Sequence, residues 1–309
     1  MAKIVTLTFS PSIDKSSSVA EMLPDIKMKC TQLIADAGGG GINVARVLTR
    51  LGADVKAIFP VAGLNGQFFT ALLDNENICY RSLTTINETK ENFVVFDQKS
   101  KQQFRFGMPN TELLKNEWES LVKMILLDTD TEYIVVSGSL PKSVSSEVFE
   151  MISKIAKGLN AKLIVDTSGT ALQTAVSAGA FMIKPNREEL GILCGSKNLQ
   201  SKDIEKAAKS IIKKNDIEII VVSMGSEGAM LVTAAQTYKL SPPKVEVKST
   251  VGAGDSMVAG IIFGISENLD YKTALQYGIA CGTATTMNVG TGLASRVDIE
   301  KLFEKLSSV

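Results

Sequence analysis

Short runs of apolar, largely β-branched residues alternate along the chain with segments whose apolar positions recur every three or four residues. The spacing i, i+3, i+4, i+7 occurs within residues 44–51 and 258–265 and predicts helices that bury one face. The alternation predicts a single α/β domain over residues 1–309, a mostly parallel sheet sandwiched by helices. Buried strands are predicted at residues 4–9, 55–61, 133–136, 163–165, 181–183 and 217–223.

Two polar regions interrupt this pattern, at about residues 12–35 and 85–107. Within them, residues 93–97 and 103–107 predict short strands with interleaved charged positions. We expect these regions to form a small second sheet that acts as a lid over a site.

The charge balance and the absence of histidine narrow the function. Lys and Arg number 33 and Asp and Glu number 33, so no overall positive field attracts nucleic acid or an anionic membrane. No leader pattern and no run of about 18 apolar residues occurs, so we expect a cytoplasmic protein. With no histidine, proton transfer must fall to a carboxylate, Lys, Tyr or Cys. The four cysteines are scattered and predicted to be reduced thiols.

Four glycines, residues 38–41, run directly into the first predicted helix. Glycines let backbone N–H groups approach a ligand, and the helix start favours an anion or a cluster of sugar hydroxyls. The run matches neither the dinucleotide-binding nor the P-loop pattern. The alternative is a tight strand-to-helix turn without a ligand.

A second glycine segment, Thr250 to Ser256, also lies at the mouth of a predicted helix. Gly252 and Gly254 free successive amides to point at one spot, which suits charge on a transferring phosphoryl group. Asp255 is the candidate base, and the helix start should keep it ionised and always available. The alternative is that Asp255 only caps the helix.

The third segment places Asn186 and Glu189 three residues apart at a predicted helix start. An amide and a carboxylate so placed suit a hydrated Mg²⁺, whereas a capping box explains the same spacing equally well. The turn at residues 223–228 follows a strand and suits a nucleotide. On the predicted lid, Lys90 and Arg105 suit a substrate phosphate, or form a solvated face.

Together these segments resemble the phosphofructokinase B family of ribokinase-like carbohydrate kinases, over essentially the whole chain. The resemblance implies that ATP phosphorylates a phosphorylated ketohexose, fructose 6-phosphate at its 1-hydroxyl. Fructose 1-phosphate and tagatose 6-phosphate are alternative acceptors, and an inactive sugar-phosphate sensor is the alternative outside the enzymes. The motifs that carry the resemblance are residues 12–14, 37–52, 105–109, 137–141, 165–169, 184–189 and 250–256.

The resemblance also implies a role for each matching position. Asp255 would be the base and Gly252, Ala253 and Gly254 the anion hole. The acceptor would be held by Asp14, Gly39, Gly40, Asn43, Lys90, Asn92, Arg105 and Ser139. The nucleotide would be bound by Lys184, Asn186, Ser223, Gly225, Ser226, Gly228, Thr250 and Thr283. Glu189 would help to place Mg²⁺, and K⁺ would bind near Ser249, Val251, Thr285, Asn288 and Gly290.

Regulation and assembly follow from the same resemblance. Lys27 matches a position that helps to bind a second, inhibitory ATP, and the lids would clasp to form a homodimer. Two positions depart from the expected pattern. Lys90 stands where an arginine is expected, which would weaken phosphate binding or shift the preferred acceptor. Gly292 replaces another arginine and bears on the need for a monovalent cation.

Overall fold

Strands and helices alternate as predicted in the computed structural model, which describes residues 2–196 and 199–308. The strands are β1 Lys3–Leu7, β2 Ser12–Val19, β3 Ile34–Gly38, β4 Asp54–Val61, β5 Tyr80–Thr84, β6 Lys90–Asp97, β7 Gln102–Phe106, β8 Tyr133–Ser137, β9 Lys162–Asp166, β10 Ala180–Ile183, β11 Ile217–Ser223, β12 Ala229–Val232 and β13 Thr237–Leu240. The helices are α1 Gly40–Leu51, α2 Gly63–Asn75, α3 Lys115–Lys123, α4 Glu147–Leu159, α5 Gly169–Ala178, α6 Arg187–Leu193, α7 Ile204–Lys214, α8 Ala253–Ser266, α9 Tyr271–Thr286 and α10 Arg296–Ser307.

The larger sheet has the strand order β13-β12-β11-β10-β9-β8-β1-β4-β5. Its pairings are parallel from β5 to β11, while β12 and β13 run antiparallel at one edge. All six strands predicted from the apolar runs belong to this sheet. The pattern missed β5, whose residues are half-buried or exposed, and the four-residue strands β12 and β13, because such short runs do not separate strand from helix.

Helices cover both faces of the larger sheet, as predicted. Successive side chains of a strand point to opposite faces, so Ile4 packs with α1, α8, α9 and α10, whereas Val5 and Leu7 pack with α3 to α7. The apolar runs are therefore continuous, because each strand buries both of its faces. No helix in the described ranges is long and apolar enough to cross a membrane.

Helix α8 is buried more completely than its spacing predicts. Its buried positions include glycines and serines as well as the expected apolar stripe. A Cβ on Gly260 would lie 2.4 Å from the carbonyl oxygen of Tyr277, and one on Gly264 would lie 2.6 Å from the Cα of Ala274. These glycines let α8 and α9 pack backbone to backbone, which fixes the position of the loop preceding α8.

The smaller sheet has the order β3-β2-β6-β7 and contains both strands predicted in the polar regions. It follows β1 directly in the chain, and its strand β7 reaches the loop before α8. Ile34, Phe93 and Phe106 leave apolar surface exposed on it. The small sheet thus stands at the edge of the large sheet where the parallel strands end.

Candidate active site

The glycine run connects the small sheet to α1 and packs against the loop after β8. Gly39 has φ +113°, and a Cβ on Gly40 would lie 2.4 Å from the backbone nitrogen of Gly138. A Cβ on Gly41 would lie 2.5 Å from Oγ1 of Thr8. Close packing accounts for these glycines as a tight strand-to-helix turn, and their contact with a sugar stays a prediction. The same packing places Asn43 at the mouth of the site.

Asp255 lies in the first turn of α8, and its carboxylate is held by side chains from two other elements. Asn43 Nδ2 donates to Oδ2 at 2.9 Å, and Ser137 Oγ donates to Oδ1 at 3.3 Å. Gly252, with φ +72°, occupies the N-cap position without a side-chain cap. The capping interpretation of Asp255 is therefore wrong: its carboxylate faces the site instead of the helix amides.

The pKa of Asp255 is raised to about 7, chiefly by burial and then by the nearby carboxylate of Asp166. The hydrogen bonds from Asn43 and Ser137 and the charge of Lys184 oppose this rise. The expectation that the helix start keeps Asp255 always ionised is wrong, because desolvation outweighs the partial charge of the helix. A carboxylate with a pKa near 7 is a competent general base at neutral pH.

Lys184, just after β10, brings a buried positive charge beside the loop before α8. Its Nζ lies 3.1 Å from Oδ1 of Asp166 and 3.4 Å from where a Cβ on Gly254 would be. Burial opposes the charge, but the carboxylates of Asp166, Asp255 and Glu189 together outweigh it, and the pKa of Lys184 is raised. The ammonium group therefore stays charged next to the Gly252–Gly254 amides. This arrangement suits a transferring phosphoryl group.

Asn186 and Glu189 form the capping box that the spacing allowed. Asn186 Oδ1 accepts from the Glu189 amide at 2.8 Å, and Glu189 Oε2 accepts from the Asn186 amide at 2.8 Å. Both also line a cavity of about 270 Å³ with Asp166, Lys184 and Asp255. Within the described residues, no three His, Cys, Asp or Glu side chains are grouped closely enough to enclose a metal. The carboxylates of Glu189 and Asp166 would suit a largely hydrated Mg²⁺, which needs few protein ligands.

Asp166 is a site residue to which the sequence reasoning gave no role. It ends β9, at the same edge of the sheet as Ser137 at the end of β8. A signal was present, since both are polar residues that follow buried apolar runs, and the carboxyl ends of parallel strands gather functional groups at one edge. Their approach to Asp255, far along the chain, required the three-dimensional fold.

A second cavity, of about 550 Å³, lies beside the first and is mainly apolar. Six of the predicted nucleotide residues line it together: Ser223, Gly225, Ser226, Gly228, Thr250 and Thr283. Lys184 and Asn186 line the polar cavity instead, and Ser223 borders both. The remaining walls include Pro242, Val245 and Met257, which no local motif singled out. The pair of cavities suits a molecule with an apolar ring at one end and phosphates at the other.

Asp14 and Asn92 lie opposite each other on β2 and β6 of the small sheet. Ser12 Oγ and Asn92 Nδ2 donate to Oδ1 of Asp14 at 2.7 and 2.9 Å. Burial raises the pKa of Asp14 despite these hydrogen bonds. The carboxylate is an acceptor suited to sugar hydroxyls.

Lys90 and Ser139 both reach the side chain of Asn110. Lys90 Nζ donates to Asn110 Oδ1 at 2.8 Å, and Ser139 Oγ donates to the same oxygen at 3.1 Å. Burial lowers the pKa of Lys90, and the charge of Asp14 opposes that shift. Two predicted substrate residues are thus brought together through a third that the sequence reasoning did not identify.

Arg105 points to a different place from Lys90. It is exposed and donates to Thr250 Oγ1 at 2.9 Å and to Gln103 Oε1 at 3.0 Å. The neighbouring Gln103 donates to Ser249 Oγ at 3.2 Å. Arg105 therefore connects the small sheet to the loop before α8. Lys27 is exposed in the irregular segment between β2 and β3.

The residues expected near a monovalent cation come from two segments that meet. Ser249 Oγ donates to the Gly290 carbonyl at 2.6 Å, and the Ser249 amide donates to the Thr286 carbonyl at 3.2 Å. The hydroxyl of Thr285 is already engaged, with Ser256 Oγ at 2.7 Å. Backbone carbonyls of this kind fit a weakly hydrated cation such as K⁺. The residues expected near the cation are Ser249, Val251, Thr285, Asn288 and Gly290. Gly292, which stands where an arginine is expected, lies two residues after Gly290.

Comparison with known proteins matches residues 9–297 to the pfkB family carbohydrate kinases. The chain is 36% identical to ATP-dependent 6-phosphofructokinase isozyme 2 of Escherichia coli strain K12, covering 99% of this chain and 100% of that one. The crystal structure of Escherichia coli phosphofructokinase-2 with fructose-6-phosphate superposes with a TM-score of 0.92 at 35% identity, and the one with potassium with 0.94 at 36%. Each covers 99% of this chain and 100% of the other.

Proposed function

Because this chain belongs to the pfkB family of carbohydrate kinases, we propose that it transfers the γ-phosphoryl group of ATP to the 1-hydroxyl of fructose 6-phosphate. The products are fructose 1,6-bisphosphate and ADP. The observation that carries the proposal is Asp255, whose pKa is about 7, beside the Gly252–Gly254 amides and the buried Lys184.

In this reaction the 1-oxygen of the sugar forms a bond to the γ-phosphorus as the bond to the β,γ-bridging oxygen breaks. Asp255 accepts the proton that the hydroxyl loses, and ADP takes the electron pair of the broken bond. Asn43 and Ser137 hold the Asp255 carboxylate in place for this transfer. The amides of residues 252–254 and the Lys184 ammonium stabilise the negative charge on the phosphoryl oxygens.

The two cavities divide the binding of ATP. The apolar cavity takes the adenine and ribose against the 223–228 turn, Thr250 and Thr283, and the polar cavity takes the phosphates near Lys184 and Asn186. Mg²⁺, when bound with ATP, neutralises phosphate charge and orients the γ-phosphoryl group. Glu189 and Asp166 are the carboxylates that would hold it through its waters. A K⁺ bound where Ser249 meets Gly290 would support the anion-hole loop.

The acceptor is held by the small sheet and the glycine run. Asp14, Asn92, Gly39, Gly40 and Asn43 contact the sugar, while Lys90 and Ser139 bind its phosphate. Arg105, which is hydrogen-bonded to Thr250, would have to leave that residue to reach the phosphate. The small sheet acts as a lid over the site of a single-domain protein.

The small sheet also provides the contact of a homodimer, because Ile34, Phe93 and Phe106 expose apolar surface on it. Light scattering that gives a mass near 33.1 kDa would contradict the dimer.

Lys27 lies in an exposed segment, where it is free to take part in the inhibitory ATP site that the family resemblance suggests. Inhibition of wild-type turnover at high ATP, relieved in a Lys27→Met variant, is the expected observation. Equal inhibition of both proteins would remove Lys27 from this role.

The test is a coupled assay of ADP release with Mg²⁺ and ATP, comparing fructose 6-phosphate, fructose 1-phosphate, tagatose 6-phosphate, ribose and fructose. The expected result is the highest kcat/KM for fructose 6-phosphate. A preference for fructose 1-phosphate or tagatose 6-phosphate would favour the second candidate, which the presence of Lys90 in place of an arginine supports. Turnover of none of the five would overturn the kinase and favour a sugar-phosphate sensor.

A further inference from the structure

Asn110 lies in the irregular segment between β7 and α3 and accepts hydrogen bonds from three separate elements. Its Oδ1 accepts from Lys90 Nζ at 2.8 Å, from Ser10 Oγ at 2.9 Å and from Ser139 Oγ at 3.1 Å. Its Nδ2 donates to the carbonyl of Leu140 at 3.2 Å. The side chain thus joins the segment between β1 and β2, the start of β6 and the loop after β8.

Three donors exceed the two acceptor sites of a carbonyl oxygen. One donor is therefore held less firmly and is the first to turn to another acceptor. The Ser139 hydroxyl, at the longest distance, is the one best placed to do so. The Lys90 ammonium has three N–H groups, so a single bond to Asn110 leaves two for a bound anion.

A lysine at position 90 needs such support more than an arginine does. Arginine presents a planar fork to a phosphate, whereas lysine is a point charge on a flexible four-carbon stem. Fixing that stem before the anion arrives removes part of the entropy cost of binding. Asn110 supplies the fixed acceptor that holds the stem.

We propose that Asn110 is the positioning residue that fixes Lys90 and Ser139 for the phosphate of the acceptor sugar, an inference that rests on the proposed function. Asn110 contributes nothing to the chemical step at Asp255. It sets the preference for phosphorylated over unphosphorylated ketohexoses.

The first test is Asn110→Ala assayed with fructose 6-phosphate and with fructose. Losing a hydrogen bond to a charged group is expected to raise KM for fructose 6-phosphate about tenfold, with kcat within about twofold. The kcat/KM for fructose should change much less. The matched control is Asn87→Ala, since Asn87 Nδ2 donates to the Glu112 carbonyl at 2.7 Å in the adjoining loop, while the Lys90 ammonium donates to Asn110.

A double-mutant cycle with Lys90→Met separates positioning from general loosening of the loop. If Asn110 acts through Lys90, Asn110→Ala should raise KM for fructose 6-phosphate only slightly when Lys90 is already replaced by Met. An equal rise in KM with Lys90 and with Met at position 90 would overturn the proposal.

Asn110→Asp serves where Asn110→Ala does not fold, because it keeps an oxygen for Lys90. Its added negative charge neutralises Lys90 and repels the phosphate, so KM for fructose 6-phosphate should rise at least tenfold. An unchanged KM in this variant would overturn the proposal.

The experiments distinguish a failure of the proposed kinase function from a failure of the proposed role of Asn110. If the wild type turns over fructose 6-phosphate, the kinetic cycle decides the role of Asn110. If it turns over no acceptor, the proposed function fails, and the rise in melting temperature caused by fructose 6-phosphate is compared instead. A smaller rise in Asn110→Ala than in Asn87→Ala supports the positioning role, and equal rises overturn it.

Discussion

The large and small sheets meet at the site but are stabilised in different ways. Strands such as β8 and β10 of the large sheet are buried along their whole length, with helices on both faces. Strands β6 and β7 of the small sheet are mostly half-buried or exposed, and Phe93 and Phe106 face solvent. A rigid edge and a less constrained sheet therefore face each other across the site.

The functional groups divide along the same line. Asp255, Lys184 and Asp166 are held by α8 and by strands of the large sheet, whereas Asp14 and Lys90 stand on the small one. The difference predicts that changes at the large sheet lower kcat and that changes at the small sheet raise KM for the acceptor. The expected effects below run from the largest to the smallest.

Asp255→Asn is expected to lower kcat by about 10³-fold, because it removes the base but keeps an oxygen for Asn43. The KM values should change far less. Steady-state kinetics with fructose 6-phosphate measure this. Asp270→Asn is the matched control, because Asp270 also lies at a helix start but caps α9 through its hydrogen bonds to Lys272 and Thr273. A similar loss in both variants would contradict a special role for Asp255.

Asp14→Asn is expected to raise KM for fructose 6-phosphate by about 30-fold, because the amide offers the sugar hydroxyls one neutral acceptor oxygen where the carboxylate offers two charged ones. The change in kcat should be several-fold smaller. Glu21→Gln is the control, since Glu21 pairs with Lys99 next to the same sheet. A fall in kcat with an unchanged KM would break the division between the two sheets.

The rate of transfer should depend on pH through Asp255. Because the pKa of Asp255 in the free enzyme is about 7 and the base must be unprotonated, log(kcat/KM) should fall by about one per pH unit below pH 7 and level off above it. A kcat/KM that is flat between about pH 5.5 and 8.5 would contradict this assignment.

The same pKa has a consequence for folding stability. Because the folded-state pKa lies above the ordinary value of 3.8, the stabilisation is present at low pH and lost as pH rises through about 7. Asp255→Asn stays neutral, so its melting temperature should exceed that of the wild type by a few degrees at pH 8, and the gap should shrink towards pH 5. Thermal denaturation at the two pH values checks the sign.

The smallest effect is expected at Arg187, which begins α6. Its guanidinium donates to Glu227 in the nucleotide-site turn and to Ser201 Oγ at 3.2 Å. Arg187→Met frees this turn and should raise KM for ATP about threefold, the modest value typical of a largely exposed pair. Lys209→Met, which breaks the exposed pair with Glu205, should leave KM for ATP unchanged.

The core of the fold could be predicted because strands that are buried on both faces appear in the sequence as continuous apolar runs. Each predicted apolar run became a strand of the large sheet, and β6 and β7 of the small sheet were predicted from polar regions with interleaved charges. The antiparallel β12 and β13 were missed, since four residues carry too little periodicity. The near-complete burial of α8 was also missed, because it depends on the glycines that admit α9.

The site was predictable where glycines mark a backbone in close contact. Residues 38–41 and 252–254 were singled out in this way, and Asp255 with them, and their roles stay predictions. Asp166 and Asn110 were not, since each acts through partners distant in sequence. The prediction that Asp255 is always ionised was wrong for the same reason. A helix start is a local feature of the sequence, whereas burial and the charge of Asp166 come from the whole fold.

The most direct test of the central claim is a single-turnover experiment with excess enzyme, Mg²⁺, γ-labelled ATP and fructose 6-phosphate, stopped by acid. In the wild type the label should appear on the 1-oxygen of fructose 1,6-bisphosphate as ATP disappears. In Asp255→Asn, bound ATP should remain intact over the same time. Label released as inorganic phosphate, or transfer by the variant at the wild-type rate, would contradict the account.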